Sequence, residues 1–466
     1  MYQDTIAAIA TPQGEGGIGT IRLSGPASAE VLARVFQPAS GGRVQPVGME
    51  SHRLVFGHVI DPASGAKVDE VLAVLMRAPH SYTREDVVEI DCHGGTMPLQ
   101  SVLSLCLREG ARMAEPGEFT LRAFLNGRLD LAQAEAVLDV VQARTGEGLR
   151  LAVEQLGGGV SVRVKGIRAR LLHALAHLEA NIDFPEDDVP PADVTPALND
   201  ALADLDSLID SASTGIVMRQ GVRTAIVGRP NVGKSSLLNA LLRMERAIVT
   251  AIPGTTRDTL EEVANVRGVP LVLTDTAGLR HEADTDDPIE RIGMDRTRRA
   301  LSNADLALLV FDGSQPLDDA DREVVAQTSK IAPAMRVAVI NKSDLPSAIG
   351  LDQLSTLLDG LEVVRASATT PGGTDVLEET LANLVLNGKA ARTGDGAMVT
   401  SVRHRDALER ARGHIREALD SGQSGAPAAF VAVDLHSALN ALGEITGETV
   451  GEDLLDEIFR NFCIGK

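Results

Sequence analysis

The sequence predicts a protein of the α/β and α classes: an N-terminal α/β domain, a helical domain split into two segments, and a second α/β domain inserted between them. Three patterns indicate this. Strand-like apolar runs and glycine-rich turns continue to about residue 120, and apolar residues recur at three- and four-residue steps from Phe119 to Leu178 and from Ala397 to Phe462. Between these stretches, a strand, a glycine-rich turn and a helix follow in order from Thr224 to Leu242. The predicted boundaries are 1–120, 121–215, 216–388 and 389–466.

The first domain is predicted to hold several strands, a turn and a helix. Gly14-Glu15-Gly16-Gly17 predicts a turn between the first two strands, since glycine enters turn conformations without steric cost. Cys92-His93-Gly94-Gly95 is interpreted as the end of a strand and the start of a turn. The predicted strands are Thr5–Ala10, Gly19–Leu23, Val71–Met76 and Val87–Asp91, and the predicted helix is Leu99–Leu107.

The predicted helical domain is interrupted by loops. Phe184 to Pro196 is predicted as an acidic, proline-rich loop. Pro196 to Ala212 is helical again and leads into the inserted domain. The second helical segment carries a soft break from Ser421 to Pro427.

The composition argues against several classes of protein. Of the 466 residues, 44% are apolar, but no apolar run reaches the length of a membrane span. Met1 to Asp4 lack a basic stretch before an apolar core, which argues against a signal peptide. The three cysteines (Cys92, Cys106 and Cys463) fit neither a disulfide framework nor a zinc site, so we expect a cytoplasmic protein.

The net charge of −21 disfavours a protein coated with nucleic acid but is compatible with a local basic face. Two basic clusters are present, and exposed helix faces are at least as good an interpretation of both. Aromatic residues make up only 2% of the chain, so no base-stacking platform is indicated. The clusters consist of Arg163, Lys165, Arg168 and Arg170, and of Arg403, His404, Arg405, Arg410, Arg412 and Arg416.

The clearest motif of the inserted domain is Gly228 to Ser236, Gly-Arg-Pro-Asn-Val-Gly-Lys-Ser-Ser. Its glycines allow successive backbone N–H groups to wrap a phosphate, and the N-terminus of the following helix adds positive charge. Lys234 would contact the β- and γ-phosphates, and the Ser235 hydroxyl would bind magnesium. The predicted nucleotide contacts in this motif are Asn231, Val232, Gly233, Lys234, Ser235 and Ser236.

Three further segments follow at the ends of predicted strands. Asp275-Thr276-Ala277-Gly278 offers a carboxylate for water-bridged magnesium and a glycine N–H for the γ-phosphate. In Asn341-Lys342-Ser343-Asp344, the last carboxylate can accept from the ring N–H and the amine of guanine, a donor pair that adenine lacks, while Asn341 and Lys342 brace the base. The backbone of Ser367-Ala368 would donate to the guanine carbonyl. Each segment alone is also typical of a polar turn, but the four in this order predict a Ras-like P-loop domain that binds GTP.

Two other places concern hydrolysis. Thr256 is the candidate second magnesium ligand, although a Pro-Gly surface turn is the simpler interpretation of its segment, Thr250 to Asp258, taken alone. Leu279 stands where Ras-type enzymes use a glutamine to orient the attacking water, which an apolar side chain cannot do. Glu290 is a candidate to hold that water; the alternative is a solvated carboxylate at a helix start.

Three segments outside the inserted domain carry a family resemblance: Pro116 to Thr120, Arg122 to Leu131 and Phe462 to Lys466. With the motifs above, they resemble the MnmE (TrmE) family of tRNA modification GTPases over essentially the whole chain. The resemblance implies that the chain works with an FAD-dependent partner, MnmG, to add an aminomethyl or carboxymethylaminomethyl group to C5 of the wobble uridine of certain tRNAs. It also implies a homodimer formed through the N-terminal domain and a heterotetramer with the partner.

The resemblance further implies a bound one-carbon tetrahydrofolate in the N-terminal domain. Its contacts would be Arg22, Glu89, Arg128 and Lys466, with Arg128 replacing a lysine expected there. Without the resemblance, surface charges on strands are the simpler interpretation of Arg22 and Glu89. Cys463 would be important for the modification, although a lone cysteine is more often an inert core residue.

In the same family a potassium ion lies between two GTPase domains, near the place where an arginine finger would act. Its implied ligands here are Asn231, Thr250, Ile252 and Thr255, and its charge would offset the developing phosphate charge. Thr250, Thr255 and Thr256 would also contact the nucleotide, and Glu290 matches the family's water-orienting glutamate.

Two other functions remain open at this stage. An Era-like ribosome-assembly GTPase would share the nucleotide motifs but predicts a basic, glycine-rich RNA-binding module after residue 388. A purely regulatory GTPase switch would need neither folate nor Cys463.

Overall fold

The computed structural model of the chain describes residues 4–12, 14–42, 48–183, 193–243, 262–273, 301–328, 331–332, 335–350, 357–358, 360–386 and 397–466. The α/β and α class predicted from the sequence is confirmed. No helix in these ranges is both long and apolar enough to cross a membrane.

The N-terminal part is a seven-stranded, mostly antiparallel sheet with strand order β3-β4-β5-β6-β2-β1-β7. Two helices pack against one face through an apolar core that includes Leu32, Ile90 and Val102. The elements in chain order are β1 (Ile6–Ile9), β2 (Gly16–Ser24), α1 (Ser28–Val35), β3 (Phe36–Pro38), β4 (Val55–Ile60), β5 (Lys67–Met76), β6 (Val87–Gly94), α2 (Thr96–Arg108) and β7 (Arg112–Met113).

The sequence did not predict four of these elements, and the turn that it predicted between the first two strands includes residues that belong to β2. Helix α1 and strands β3, β4 and β7 were not predicted, and β2 begins at Gly16, inside the predicted turn. The reason is clear at Gly57, which weakens the strand pattern of β4. A Cβ there would lie 2.3 Å from the Gln37 carbonyl oxygen and 2.6 Å from the Phe36 ring, so β3 and β4 pair only because this residue is glycine.

The helical part contains four helices where the sequence indicated one continuous pattern. The break before α4 is set by Asp130, whose side chain accepts the Gln133 N–H in a capping box. The helices of the first segment are α3 (Glu118–Leu125), α4 (Leu131–Gln142), α5 (Gly146–Leu156), α6 (Gly159–Asp183) and, after the predicted acidic loop, α7 (Thr195–Gln220).

The second helical segment packs onto the first. Leu171 and Leu205 share one apolar core with Leu435 and Leu442, so the halves on either side of the inserted domain form one bundle. The predicted soft break falls between two of its helices. Those helices are numbered after the inserted domain: α11 (Val402–Gln423), α12 (Ala428–Thr446) and α13 (Glu452–Arg460).

The described residues of the inserted domain form a six-stranded sheet with strand order β13-β12-β11-β8-β10-β9, and among these strands only β9 runs antiparallel to its neighbour. Every residue of β11 is buried, as expected for a parallel strand covered on both faces. Its elements are β8 (Val222–Val227), α8 (Lys234–Arg243), β9 (Glu262–Val266), β10 (Val269–Leu273), β11 (Leu306–Asp312), α9 (Asp319–Gln327), β12 (Arg336–Asn341), β13 (Glu362–Arg365) and α10 (Asp375–Val385).

Candidate functional site: a nucleotide site and a C-terminal cluster

The glycine-rich motif connects β8 to α8, as predicted. Asn231 (φ 64°) and Gly233 (φ 97°) both adopt left-handed backbone conformations. A Cβ at Gly233 would lie 2.2 Å from the Asn341 side-chain nitrogen, and one at Gly228 would lie 2.4 Å from the Val310 carbonyl oxygen. These glycines therefore also allow the ends of β11 and β12 to pack against the loop.

Lys234 is held above its own loop. Its Nζ donates to the carbonyl oxygens of Gly228 at 2.9 Å and Arg229 at 2.7 Å, and the residue is buried. This position leaves the ammonium at the loop that would surround the phosphates.

Two side chains at the end of β12 connect the predicted base-binding residues to the glycine-rich loop. Asn341 donates to the Val232 carbonyl oxygen at 2.8 Å and accepts from the Ala368 N–H at 3.3 Å. Lys342 donates to the Asn231 carbonyl oxygen at 3.1 Å. The structure thus brings the glycine-rich loop into contact with two base-binding motifs that follow it more than a hundred residues later in the chain.

The carboxylate predicted to recognise guanine is also connected to its neighbouring loop. Ser367 Oγ donates to Asp344 Oδ1 at 2.6 Å, so the two segments predicted to contact the base meet directly. The role of each residue stays a prediction.

Sequence reasoning missed two acidic contacts of this site. Asp312, at the end of β11, accepts from Lys342 Nζ at 2.6 Å. The pKa of Asp312 is lowered overall. Burial alone would raise this pKa, but the hydrogen bonds from Lys342 and Ser314 lower it by more. The signal was present, since Asp312 ends a wholly apolar run at the same edge of the sheet.

The second missed contact involves Arg229. Its guanidinium pairs with Asp318, and its Nε lies 2.9 Å from Asp321 Oδ1. These aspartates form the capping box of α9, so an ion pair ties the glycine-rich loop to that helix.

Several predicted residues of this site lie outside the described residues. They belong to the predicted nucleotide contacts and to the predicted magnesium, potassium and water-positioning groups. These are Thr250, Ile252, Thr255, Thr256, Asp275, Thr276, Ala277, Gly278 and Glu290.

A second cluster forms on the N-terminal sheet. Arg22 on β2 and Glu89 on β6 are cross-strand partners, with Nε and Oε1 2.8 Å apart. The Arg22 guanidinium also donates to the Gly465 carbonyl oxygen at 3.1 Å. The two residues are therefore not isolated surface charges, because their pair contacts the C-terminal segment.

Tyr82 joins Arg128 to this cluster. The Arg128 guanidinium carbon lies 4.7 Å from the Tyr82 ring centroid, and that of Arg22 lies 5.8 Å from it. An open pocket of about 510 Å³ lies beside Tyr82 and Arg128 and is also lined by His80 and Arg84. All four residues predicted to bind folate are therefore brought to one region, with Lys466 directly after Gly465.

The C-terminal segment is ordered by two close approaches. A Cβ at Gly465 (φ 96°) would lie 2.4 Å from the Ile9 carbonyl oxygen, and one at Gly117 (φ 70°) would lie 2.7 Å from the Phe459 carbonyl oxygen. Phe462 is buried against Phe459 and Leu131. These contacts hold residues that a chain end normally leaves frayed.

The three cysteines differ in environment. Cys463 is exposed, whereas Cys92 and Cys106 are buried, and burial raises the pKa of both buried thiols to about 12. Cys463 is therefore the accessible thiol, and the interpretation of it as an inert core residue is wrong.

The two basic clusters pair with carboxylates of the helical bundle. Lys165 Nζ lies 2.9 Å from Asp130, and Arg412 lies 3.2 Å from Asp206. Further pairs are Arg168–Glu448, Arg170–Asp204, Arg410–Glu444 and Arg416–Asp206. This pairing favours structured helix faces over a basic surface for nucleic acid.

Glu135 on α4 and two residues of α11 form a buried polar cluster. Its carboxylate lies 2.6 Å from His404 Nε2 and 2.8 Å from Arg403. Burial raises the pKa of Glu135, but the charges and hydrogen bonds of His404 and Arg403 outweigh burial and hold it at about 2. Close by, Arg219 in the last turn of α7 pairs with Asp139 at 2.7 Å, directly before β8. We call these five residues the joint cluster.

Two protein-family models together match nearly the whole chain. A family model described as the GTP-binding protein TrmE N-terminus matches residues 5–128, and one described as the MnmE helical domain matches residues 131–463.

Two relatives that match along their full length carry the same name. The chain is 52% identical to the tRNA modification GTPase MnmE of Roseiflexus castenholzii, covering 100% of both chains, and 53% identical to that of Chloroflexus aurantiacus, covering 99% of this chain and 100% of the other. Among solved structures, Era in complex with MgGDPNP and a 16S ribosomal RNA segment is 24% identical over 41% of this chain and 65% of its own, with a TM-score of only 0.26.

Proposed function

The chain belongs to the MnmE family of tRNA modification GTPases, and on that premise we propose that it is a potassium-dependent GTPase acting on tRNA. With an FAD-dependent, MnmG-type partner, it adds an aminomethyl or carboxymethylaminomethyl group to C5 of the wobble uridine of certain tRNAs. The observation that carries the GTPase part is the connection of Asn341 and Lys342 to the glycine-rich loop.

In this proposal each described residue of the nucleotide site has one task. Asp344 accepts from the guanine ring N–H and amine, and the Ala368 N–H donates to the guanine carbonyl. Lys234 turns from its own loop carbonyls to the β- and γ-phosphates, where its charge offsets theirs. Asn341 keeps the base-binding loops and the phosphate loop in register through its two hydrogen bonds.

The donors proposed for the metals are oxygen atoms, which suit both ions. Ser235, in the first turn of α8, and Thr256 would bind magnesium. Asn231, Thr250, Ile252 and Thr255 would bind potassium, which would supply the positive charge that an arginine finger supplies elsewhere. Asn231 fits this task because the residue is exposed while Lys342 holds its backbone oxygen.

The N-terminal cluster is proposed to bind the one-carbon tetrahydrofolate. Tyr82 offers a ring for the pterin part of the folate, and Glu89 can accept from nitrogens of that ring. Arg22, Arg128 and Lys466 offer positive charge to the carboxylates of the glutamate tail. The pocket beside Tyr82 and Arg128 supports this assignment. Cys463, exposed two residues before Gly465, would act on the uridine or support that step.

We also propose a cytoplasmic homodimer that forms a heterotetramer with the flavoprotein partner. Leu54, Phe56 and Leu72 support the dimer, because they are 55%, 49% and 37% exposed. Phe56 on β4 and Leu72 on β5 are cross-strand partners, and Leu54 directly precedes β4. The Era-like alternative is not favoured: among the described residues after 396, the chain forms helices that pack on α6 and α7.

The deciding experiment measures the wobble-uridine nucleosides of bulk tRNA by mass spectrometry, with and without the gene. We expect C5-substituted uridines to be lost on deletion and restored by the intact chain but not by Cys463→Ser. Ile464→Ala, which changes the exposed neighbouring side chain, is the matched control and should restore them.

Two outcomes would change the proposal. An unchanged nucleoside profile on deletion would refute a role in this modification and direct attention to ribosome assembly. Full restoration by Cys463→Ser would favour the regulatory switch, which needs no thiol.

A further inference from the structure

Three neighbouring strands of the inserted domain, β8, β11 and β12, are connected at their ends by one ammonium group. Lys342 Nζ lies 2.6 Å from Asp312 Oδ2 and 3.1 Å from the Asn231 carbonyl oxygen. Asp312 is only 3% exposed and is located on the middle strand of the three. A buried carboxylate thus fixes the position of a side chain in the proposed guanine pocket.

Lys342, which carries this ammonium group, and Asn231, which accepts from it, both have strained backbones. Asn231 has a φ of 64° and Lys342 a φ of 60°, in the left-handed region that residues other than glycine seldom occupy. Such conformations persist only where surrounding contacts hold them. The contacts of Lys342 Nζ with Asp312 and Asn231 provide such support.

The carboxylate of Asp312 is itself oriented. Its Oδ1 accepts from the Ser314 N–H at 3.0 Å and from Ser314 Oγ at 2.6 Å, which leaves Oδ2 for Lys342. The backbone beside it is also fixed, because the Gly313 N–H donates to the Asn341 carbonyl oxygen at 2.9 Å.

We infer that Asp312 is a positioning residue for guanine nucleotides. It holds the Lys342 ammonium on the loop side of the pocket, so the stem of Lys342 can lie along the base and its charge does not pair with Asp344. Asp344 instead accepts from Ser367 and keeps its other oxygen for guanine. The inference rests on the proposed GTP site. It assigns Asp312 to nucleotide affinity and not to the chemical step, because the residue that its Oδ2 holds, Lys342, belongs to a base-binding loop.

The test uses the full chain and a fluorescent derivative of GDP. Asp312→Asn keeps the shape but removes the charge, so we expect the dissociation constant to rise about tenfold, as for a lost charged hydrogen bond. The kcat for saturating GTP should stay within about twofold. Asp139→Asn, which removes another buried, ion-paired aspartate outside the site, should leave the dissociation constant within about twofold.

A double-mutant cycle separates positioning from a general effect on folding. In a Lys342→Met background, Asp312→Asn should weaken binding by no more than about twofold, because the group it positions is gone. A tenfold loss in both backgrounds, or an unchanged dissociation constant in the single variant, would overturn the inference.

If Asp312→Asn does not fold, Ser314→Ala replaces it. This variant removes the hydroxyl that orients the carboxylate, so we expect about a threefold rise in the dissociation constant, and no rise when Lys342 is Met. Equal effects in both backgrounds would overturn the inference. Failure of the unmodified chain to bind the nucleotide would refute the proposed GTP site itself, together with the inference. Tight binding by the unmodified chain with no effect of these variants would refute the inference alone.

Discussion

The nucleotide site and the C-terminal cluster are built in opposite ways. In the nucleotide site, the described residues lie at the end of a strand of one sheet or in the loop or helical turn that follows it, as Gly228 follows β8 and Lys342 follows β12. In the C-terminal cluster, Arg22 contacts a carbonyl oxygen 443 positions away, at Gly465, with no intervening motif. The first site depends on the order of strands within one domain, and the second depends on the packing of the whole chain.

This difference predicts different failures. A change inside the nucleotide site should abolish GTP hydrolysis and leave the fold intact, because the loops of this site are supported by buried parallel strands. A change at the C-terminal cluster should impair modification through undocking of a segment and leave GTP hydrolysis intact.

The largest expected effect tests the nucleotide side. Lys234→Ala removes the charge proposed for the phosphates, so GTP hydrolysis should fall at least about a hundredfold. Steady-state hydrolysis with magnesium and potassium measures it, and thermal unfolding without nucleotide should change little. Arg322→Ala, at a 70% exposed side chain of α9, is the control. A rate of hydrolysis within tenfold of that of the unmodified chain would contradict the role proposed for Lys234.

The next effect tests the joint cluster, which pairs α4 with α11 and with the last turn of α7. Glu135→Gln removes the buried counter-charge of Arg403 and weakens the hydrogen bond between residue 135 and His404, so the free energy of unfolding at neutral pH should fall by about 3 kcal/mol.

The contribution of Glu135 to the free energy of unfolding depends on pH in a definite direction. Since the pKa of Glu135 is lowered from 4.5 to about 2 by folding, its contribution is present above pH 4.5 and is lost as the pH falls toward 2. Urea unfolding at a series of pH values should therefore give a shallower acid slope in the variant. Identical slopes in the two proteins would contradict this.

The smallest expected effect tests the C-terminal side. Gly465→Ala places a Cβ against the Ile9 carbonyl oxygen at a residue with positive φ. This change should destabilise the docking of the C-terminal segment by about 1–2 kcal/mol and lower C5 modification of tRNA about tenfold. GTP hydrolysis should stay within about twofold. Gly166→Ala, at an exposed position of α6 with open space around it, is the matched control. Equal losses of both activities would erase the distinction between the sites.

The same difference explains what the sequence could predict. The glycine-rich loop, β12 with Asn341 and the placement of Ser367 were predictable, because apolar runs mark strands and polar residues mark their ends. Asp312 carried the same signal but no recognisable motif. The positions of Arg22 and Glu89 beside Gly465 were available only from the family resemblance, since no local pattern records a contact over that separation.

Other features were hidden for physical reasons. Strand β4 was missed because Gly57, needed for close approach to β3, breaks its strand pattern. The joint cluster was missed because its charges resemble solvated helix faces until the helices pack. In both cases tertiary contact decides a position that local preference leaves open.

The shared core of the split helical bundle has a consequence for biosynthesis. The apolar faces of α6 and α7 emerge from the ribosome before the inserted domain, but their partners α11 and α12 begin only at Val402. At ordinary translation rates this interval lasts on the order of ten seconds, in which an unpaired apolar surface is open to aggregation. The inserted domain can form its own sheet during that time. We therefore expect the nucleotide domain to fold first, and the apolar faces of α6 and α7 to need protection, as by a chaperone, until α11 and α12 are made.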